Sequence, residues 1–423
     1  MAARENTWVI RKAAIIVVAG VLATTLAQPG VLGLIPLKNL LKNELHADRA
    51  ATSAFFFLIG IPWYIKPVTG VLTDAFPLFG RRRKSYLLLS ALAASVAWIG
   101  LFFTPHTYDK LVLVCLIIAF FMVLASTVVG AYMVEAAQAV SASGRLTAVR
   151  EVTQQACGMI QGPAGGYLAA LALGWTAVAS GGILLLLVPV VWFFLEEPRQ
   201  AIPSREVLAN ATRQVAHLGS AKTLWAAIVL MALFYIAPGY ATALFYRQQN
   251  LLHMNTETQG YLGLLASAGG VVGALAYGFV CRRLSLRTLL PACLAIATVT
   301  NLGYLYYSSF WRAQWIDGIN GLGYTLAELV LMDLAVRATP RGSEGIGFSL
   351  MMSIRNVALF GTDWIGSKLL VAHLLSFHWL VIVNSATTSV TVPLVFLLPR
   401  TIVARKDAEP VEAPPEPESA LRR

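Results

Sequence analysis

The chain carries little charge for its length. Only 13% of its 423 residues are Asp, Glu, Lys or Arg, and 57% are hydrophobic. A soluble globular domain carries about 25% charged residues, so the composition excludes an ordinary water-soluble protein. Charge-free runs of about 20 residues, the length of a helix that crosses a bilayer, recur along the sequence. They predict an all-α membrane protein.

Cysteine and histidine are also scarce. The four cysteines lie in or at the ends of apolar runs without metal-ligand spacing, which argues against a metal site and a disulfide framework. The six histidines fall in predicted loops or at helix ends. No HExxH motif, phosphate-binding glycine loop or Ser–His–Asp set is evident. The sequence therefore predicts neither an enzyme nor a cofactor.

The apolar runs predict twelve membrane-spanning helices. The charge-free runs are 13–37, 85–108, 111–134, 223–246, 258–281 and 288–311. The run 152–195 is twice as long and is expected to fold back near Gly174, and 369–399 forms the last span. Three further spans, 51–74, 312–335 and 345–372, carry charges.

The cations predict the orientation of these helices. With a cytoplasmic N-terminus, 23 of the 32 lysines and arginines fall in cytoplasmic segments and 6 fall in outer loops, among them Lys38. This asymmetry follows the positive-inside rule, so we expect both termini in the cytoplasm and the chain in a bacterial inner membrane. The same rule explains the net charge of +11, which therefore does not indicate nucleic-acid binding.

The longest predicted loop divides the chain into two halves of six helices. We expect an N-terminal lobe over 1–195, a cytoplasmic central loop over 196–222, a C-terminal lobe over 223–400 and a disordered tail over 401–423. The tail is charged and rich in proline, which is typical of disorder. Carriers built from two such halves bind their substrate near the middle of the membrane, between the lobes.

A glycine–aspartate motif and a run of cations separate the second and third predicted helices. The segments Gly70-Val-Leu-Thr-Asp74 and Gly80-Arg-Arg-Arg-Lys84 resemble the signature of the major facilitator superfamily. In that superfamily the cluster latches helices that part during transport. The resemblance implies a gating role for Asp74, Arg81, Arg82 and Arg83.

Two longer stretches resemble the folate–biopterin transporter family. The matching residues are Pro36, Leu37 and Leu45, then Ile61-Pro62-Trp63, Lys66-Pro67, Gly70, Asp74, Pro77, Gly80 and Arg82-Arg83, and in the second half Pro340, Gly342, Glu344-Gly345, Ser349, Ser353 and Asn356. The resemblance implies a carrier of folates or pterins. Cys281 stands where the second half should have an acid, and the glycine motif of helix 5 is one residue short of the antiporter pattern, which leaves the direction of transport open.

Several ionisable residues lie inside predicted spans, where charge is costly and tends to mark a transport path. We expect Lys66 and Arg355 to contact an anionic substrate, and Glu328, Asp317 or Asp363 to carry a proton. At 1.5 Å per residue, Glu328 and Arg355 reach a similar depth, so a purely structural ion pair is the alternative for these two. Asp333 and Arg337 are spaced as a local helix pair.

Uncharged polar and aromatic residues complete the predicted site. A flat heteroaromatic substrate needs amide groups for hydrogen bonds and rings for stacking. The candidates are Gln28, Trp63, Gln161, Tyr235, Tyr240, Asn320 and Asn356. Glu135, Arg150 and Glu151, at cytoplasmic helix ends, are predicted to help close an inner gate. Glycine pairs at 162/166 and 269/273 are expected to allow close helix packing.

The sequence thus predicts a monomeric secondary carrier of a small organic anion, most simply a folate or pterin, coupled to protons. A carrier of another amphipathic compound, including a drug exporter, is the main alternative. A channel fits less well, because channels usually assemble from subunits with few helices.

Overall fold

The computed structural model describes residues 2–139, 143–197, 221–281, 283–338 and 344–399, together with residues 209, 219 and 403. Within these ranges the chain is helical, and its β-type pairing is limited to an isolated bridge between Leu78 and Arg81. The predicted tail and most of the predicted central loop lie outside the described residues, so the domain boundaries stay predictions.

The described helices group into twelve consecutive spans. In the first half, span 1 is Ala2–Leu26 with Leu34–Asn43, span 2 is Arg49–Ile59, Ile61–Tyr64 and Lys66–Ala75, and spans 3 to 6 are Lys84–Phe103, Tyr108–Ala139, Ser143–Ala169 and Leu173–Phe194. In the second half, span 7 is Lys222–Tyr235 with Ala241–Asn250, span 8 is Thr256–Val280, and span 9 is Leu286–Asn301 extended by the 3₁₀ turn Leu302–Tyr306. Spans 10 to 12 are Phe310–Ala338, Glu344–Val371 and Phe377–Leu394 with the 3₁₀ turn Val395–Leu397.

Only half of these spans would be recognised individually as membrane helices. Among the described residues, six helices are long and apolar enough to cross a membrane on their own: Lys84–Phe103, Tyr108–Met133, Leu173–Phe194, Thr256–Val280, Leu286–Tyr306 and Phe377–Leu397. The other spans are interrupted or contain polar residues. Those spans carry most of the residues that the sequence assigned to a site.

Proline and glycine explain the interruptions. Span 1 breaks around Pro29-Gly30, span 7 around Pro238-Gly239, and span 2 at Gly60 and at Ile65, just before Pro62 and Pro67. Proline lacks a backbone N–H, so it cannot continue the hydrogen-bond ladder of a preceding helix, and in span 2 each proline lies at the second position of a new helix. The first span of each lobe is therefore broken at the same kind of dipeptide.

Each half of the chain has its own apolar core. One cluster of buried residues, from Ile16 to Leu195, comes entirely from spans 1 to 6. Two others, from Leu224 to Val403 and from Ala243 to Val381, come from the second half. Separate cores make the two six-helix lobes distinct packing units, as predicted.

Glycines bring helices into backbone contact, also as predicted. A methyl group on Gly162 of span 5 would lie 2.5 Å from the carbonyl oxygen of Gly260 on span 8, across the lobe boundary. One on Gly166 would lie 2.6 Å from the oxygen of Thr256. Gly269 packs in the same way against the backbone of Gly318 on span 10. Only glycine allows such an approach.

The two lobes repeat one turn at the same end of the bundle. Span 1 is followed by Leu45-His46-Ala47-Asp48, and span 7 by Leu252-His253-Met254-Asn255. In both turns the histidine has a positive φ (50° and 51°), and the Asp or Asn side chain accepts a backbone hydrogen bond at the start of the next span. We call the end of the bundle that holds these two turns the clamp end, because residues described below join the lobes there. The opposite end, with Arg81–Lys84, is the basic end.

Two details of the sequence prediction were wrong. Lys38, assigned to an outer loop, lies inside the helix Leu34–Asn43 and is only 7% exposed, because the break at Pro29-Gly30 is followed by more helix. The hairpin predicted at Gly174 turns slightly earlier, since span 6 already begins at Leu173.

Candidate substrate and coupling site

Lys66 lies at the second break of span 2, where the helix Lys66–Ala75 begins. Its Nζ donates a hydrogen bond to Ser126 Oγ of span 4 (3.2 Å) and lies 5.3 Å from the ring centroid of Trp63. The positive charge of Arg150 acts on it from span 5. Among the side chains that the structure describes, no carboxylate pairs with Lys66, so its charge is balanced only by a hydroxyl group and a ring face.

Arg355 of span 11 is held by a polar cluster in the C-terminal lobe. It forms the predicted ion pair with Glu328 of span 10, and both side chains are largely buried. Its Nε donates to the hydroxyl of Tyr235 (3.3 Å), and its Nη1 donates to Oδ1 of Asn356 (3.1 Å). The guanidinium also lies 5.4 Å from the Tyr235 ring centroid. Four residues predicted for the site are thus in contact.

Spans 2 and 11, which carry Lys66 and Arg355, contact each other across the lobe boundary. The hydroxyl of Ser353 donates to the backbone oxygen of Trp63 (3.5 Å), and Ser353 is two residues from Arg355. Nearer the clamp end, Phe57 stacks on Trp364 at 5.5 Å. Lys66 and Arg355 therefore belong to helices that contact each other across the lobe boundary, as a site between the lobes requires.

The three candidate proton carriers have different surroundings. Glu328 is paired with Arg355. Asp363 accepts bonds from the backbone N–H (3.0 Å) and hydroxyl (2.6 Å) of Thr242, where the second helix of span 7 begins. Asp317 is only 4% exposed and accepts bonds from the hydroxyls of Tyr304 and Tyr307, both at 2.8 Å.

The other predicted substrate contacts are less concentrated. Gln28 donates to the Thr24 carbonyl of its own span (2.5 Å). Tyr240 donates to Asn301 and packs against Tyr304 and Phe377, in a different core cluster from Tyr235. Gln161 and Asn320 are partly buried, and neither makes a side-chain hydrogen bond within the described part of the chain.

The predicted gate residues occupy the basic end. The side chains of Asp74, Glu135 and Glu151 lie outside what the structure describes. Phe79 and Gly80 both have positive φ (53° and 74°), which explains a glycine at this turn. Among the side chains described, the Nε of Arg81 is buried without a hydrogen-bond partner. Arg82 and Arg83 form hydrogen bonds at this end through their backbone N–H groups.

Sequence reasoning missed the acidic residue that holds this loop. The carboxylate of Glu197 accepts bonds from the backbone N–H groups of Arg82 (2.8 Å), Arg83 (3.0 Å) and Lys84 (2.8 Å), at the start of span 3. A helix N-terminus favours a negative charge. Glu196 pairs with Lys12 at 2.6 Å, and this hydrogen bond lowers the pKa of the Glu196 carboxyl group.

Replacing Glu197 with alanine should expose the loop between spans 2 and 3. Three backbone donors lose their carboxylate, so we expect a loss of about 1–2 kcal/mol in unfolding free energy. Trypsin should cut after Arg81–Lys84 faster than in the wild type. Thermal unfolding and limited proteolysis in detergent measure both effects. The control is Glu196→Ala, which removes an exposed ion pair; equal effects of the two changes would contradict the assignment.

The lobes are joined at the clamp end by a second set of residues that the sequence did not indicate. Lys42 Nζ donates to Oε1 of Gln249 at 2.7 Å, and the Tyr246 hydroxyl contacts Thr52 (2.8 Å) and the carbonyl of Ala47 (2.5 Å). We call these five residues the lobe clamp. Lys42 and Gln249 each lie three residues before the leucine of the repeated turn, so the clamp joins equivalent positions of the two lobes.

Two lobes of six helices, with broken spans and buried charges, define a fold of the major facilitator type. The structure aligns with a D-xylose–proton symporter over 93% of this chain and 98% of that one, with a TM-score of 0.68 and 11% identity. It also aligns with the nucleoside transporter NupG over 92% and 98%, with a TM-score of 0.66 and 12% identity. At such identities the likeness establishes the fold.

The chain belongs to the BT1 family, whose sequence model matches residues 30–414. It is 27% identical over 417 residues to the folate-biopterin transporter of Synechocystis, covering 92% of this chain and 83% of the relative. It is 24% identical over 381 residues to folate transporter 1 of Plasmodium falciparum, covering 85% and 75%. The resemblance to the folate–biopterin transporter family is confirmed, and the chain is an integral membrane transporter for a small molecule rather than an enzyme.

Proposed function

We propose that this transporter moves a folate or a pterin across a bacterial inner membrane by alternating access, together with protons. It works as a monomer with both termini in the cytoplasm. The observation that carries the proposal is Lys66, a cation in a span that contacts the C-terminal lobe, whose described partners include no carboxylate. A substrate carboxylate or an acidic pteridine group would supply the missing negative charge.

The aromatic groups next to the cations support a flat substrate. Trp63 adjoins Lys66 in the N-terminal lobe, and Tyr235 adjoins Arg355 in the C-terminal lobe. Each lobe therefore offers a cation beside a ring, which suits a ligand that combines negative charge with an aromatic system. The names of the two relatives, a folate-biopterin and a folate transporter, agree with this chemistry.

For the coupled proton, the surroundings favour Asp317 among the three candidates. Glu328 already faces Arg355, and Lys38 acts on Asp363 electrostatically. The described hydrogen-bond partners of Asp317 are two phenols, which leave a buried negative charge uncompensated. Such a charge is costly, and protonation removes the cost.

Reconstitution tests the substrate. Proteoliposomes containing the transporter should show saturable uptake of labelled folate or a pterin, and an inward proton gradient should accelerate it. Unlabelled antifolates should compete, whereas an uncharged sugar should not. Absence of saturable folate, pterin or antifolate flux would refute the proposed substrate class, and current without saturation would indicate a channel.

A thermal-shift screen separates folate transport from drug export. Pteridines should raise the unfolding temperature, and cationic amphipathic drugs should not. The glycines of helix 5 that resemble the antiporter motif have a packing role, since Gly162 and Gly166 contact span 8. Stabilisation by cationic drugs alone would favour export.

A further inference from the structure

A chain of hydrogen bonds links the lobe clamp to Asp317. Its members, in order, are Lys42, Gln249, Gln259, Gln248, Tyr307 and Asp317. Gln249 Nε2 donates to Gln259 (3.2 Å), Gln259 Nε2 donates to Gln248 (3.1 Å), and Gln248 Nε2 donates to the Tyr307 hydroxyl (2.6 Å). Lys42 begins the chain and Asp317 ends it. We call Gln249, Gln259, Gln248 and Tyr307 the relay.

Every bond of the relay points the same way. Each residue accepts from the member nearer the N-terminal lobe and donates to the next, until the Asp317 carboxylate accepts the last hydrogen. Gln248 and Gln259 are 8% and 6% exposed, so water cannot easily replace a lost partner. A buried chain with a single direction depends on the acceptor at its end.

The groups around Asp317 are mostly neutral. Tyr304 of span 9 and Tyr307, which follows that span, donate to Asp317, and Tyr240 of span 7 packs on Tyr304. Span 8 contributes Gln259. Among the described residues, a cation of this neighbourhood is Arg247, which donates to the Tyr307 backbone oxygen (3.4 Å).

Two charged residues that lie near Asp317 or Gln259 in the sequence have exposed side chains. Arg312 of span 10 is exposed and donates to Ser308, and Glu257 at the start of span 8 is also exposed. Within the described residues, Asp317 thus interacts chiefly with the two phenols and, through Tyr307, with the rest of the relay.

We propose that the relay couples the charge of Asp317 to the lobe clamp, so that protonation of Asp317 loosens the clamp and lets the lobes part at that end. The inference rests on the proposed proton coupling. A carboxylate accepts both phenol hydrogens, but a carboxylic acid must donate its own. If it donates to the Tyr307 oxygen, which Gln248 already occupies as a donor, the Tyr307 hydrogen loses its acceptor. The relay then has one more hydrogen-bond donor than it has acceptors.

Distance measurements between spin labels test the coupling. Labels go on Lys110→Cys and Glu257→Cys, exposed positions at the clamp end of each lobe; the four native cysteines are buried. On acidification from about pH 8 to about pH 5, the separated population should rise by about threefold or more. Asp317→Asn, which keeps one acceptor oxygen and replaces the other with an uncharged NH2 donor, should show the separated population at both pH values.

Variants of the relay give the decisive result. Gln249→Met and Gln259→Met keep the side-chain length but break the chain, so the distance distribution should no longer respond to pH. Thr52→Val is the matched control: it removes a clamp bond outside the relay and should shift the distribution equally at all pH values. A normal pH response in both methionine variants, or none in the wild type, would overturn the inference.

Uptake measured on the same samples separates the two proposals. Proton-driven folate uptake together with an unchanged pH response in the methionine variants would leave the proposed function standing and remove the relay. A pH-dependent clamp that is lost in those variants, without proton-driven uptake, would support the relay and remove the symport mechanism.

Discussion

Replacing Lys66 with alanine will reduce folate or pterin uptake by about 10- to 150-fold without unfolding the protein. A charge-assisted hydrogen bond contributes about 1.5–3 kcal/mol, and each 1.4 kcal/mol corresponds to about tenfold in affinity. The described neighbours of this lysine are a hydroxyl and a ring, so among the side chains that the structure describes its removal leaves no buried carboxylate behind. The fold should therefore survive the change.

The control variant changes another lysine that lies beside a tryptophan ring. Lys368 in span 11 lies 4.0 Å from the ring centroid of Trp364, but its side chain is exposed. Lys368→Ala should retain most of the uptake, and both variants should unfold near the wild-type temperature. Wild-type flux in Lys66→Ala would return this residue to a structural role.

Breaking the pair of Glu328 and Arg355 from either side will destabilise the folded protein by about 3–5 kcal/mol. Each single change, Glu328→Gln or Arg355→Gln, leaves the other charge largely buried without its opposite, and that penalty exceeds the value of the pair itself. Thermal unfolding in detergent should show a clear drop for both single variants.

The double variant decides between the two interpretations of this pair. With both charges removed, stability should return toward that of the wild type, because no uncompensated charge remains. If Arg355 binds the substrate, uptake should stay low in this restored protein. Recovery of uptake along with stability would make the pair purely structural.

The sequence predicted the fold well because a bilayer imposes strong rules on composition. Runs of apolar residues and the placement of cations were enough to count the spans and divide the lobes. The exact breaks were harder. Pro29-Gly30 interrupts span 1, but the helix resumes with Lys38 buried inside it, which a charge count reads as a loop.

The candidate site was predictable only where charge was the signal. Glu328 and Arg355 could be paired by depth, and Asp333 with Arg337 by spacing, where the structure shows bonds of 2.8 and 2.9 Å. The lobe clamp and the relay consist mainly of glutamines and tyrosines, which are ordinary at helix ends. A signal was present in the repeated Leu-His-x-Asp/Asn turn, which aligns Lys42 with Gln249.

The glycine contact between spans 5 and 8 has a mechanical consequence. The main-chain surfaces at Gly162 and Gly260 have no rotamers to rearrange when one slides on the other. The described side-chain hydrogen bonding between these spans is one bond, from Ser267 to the Gly158 carbonyl (2.9 Å). This contact between spans 5 and 8 can serve as the pivot about which the two lobes rock. A larger side chain at either glycine would hold the two lobes at one angle. Transport would then stop even if every polar group that binds the substrate were intact.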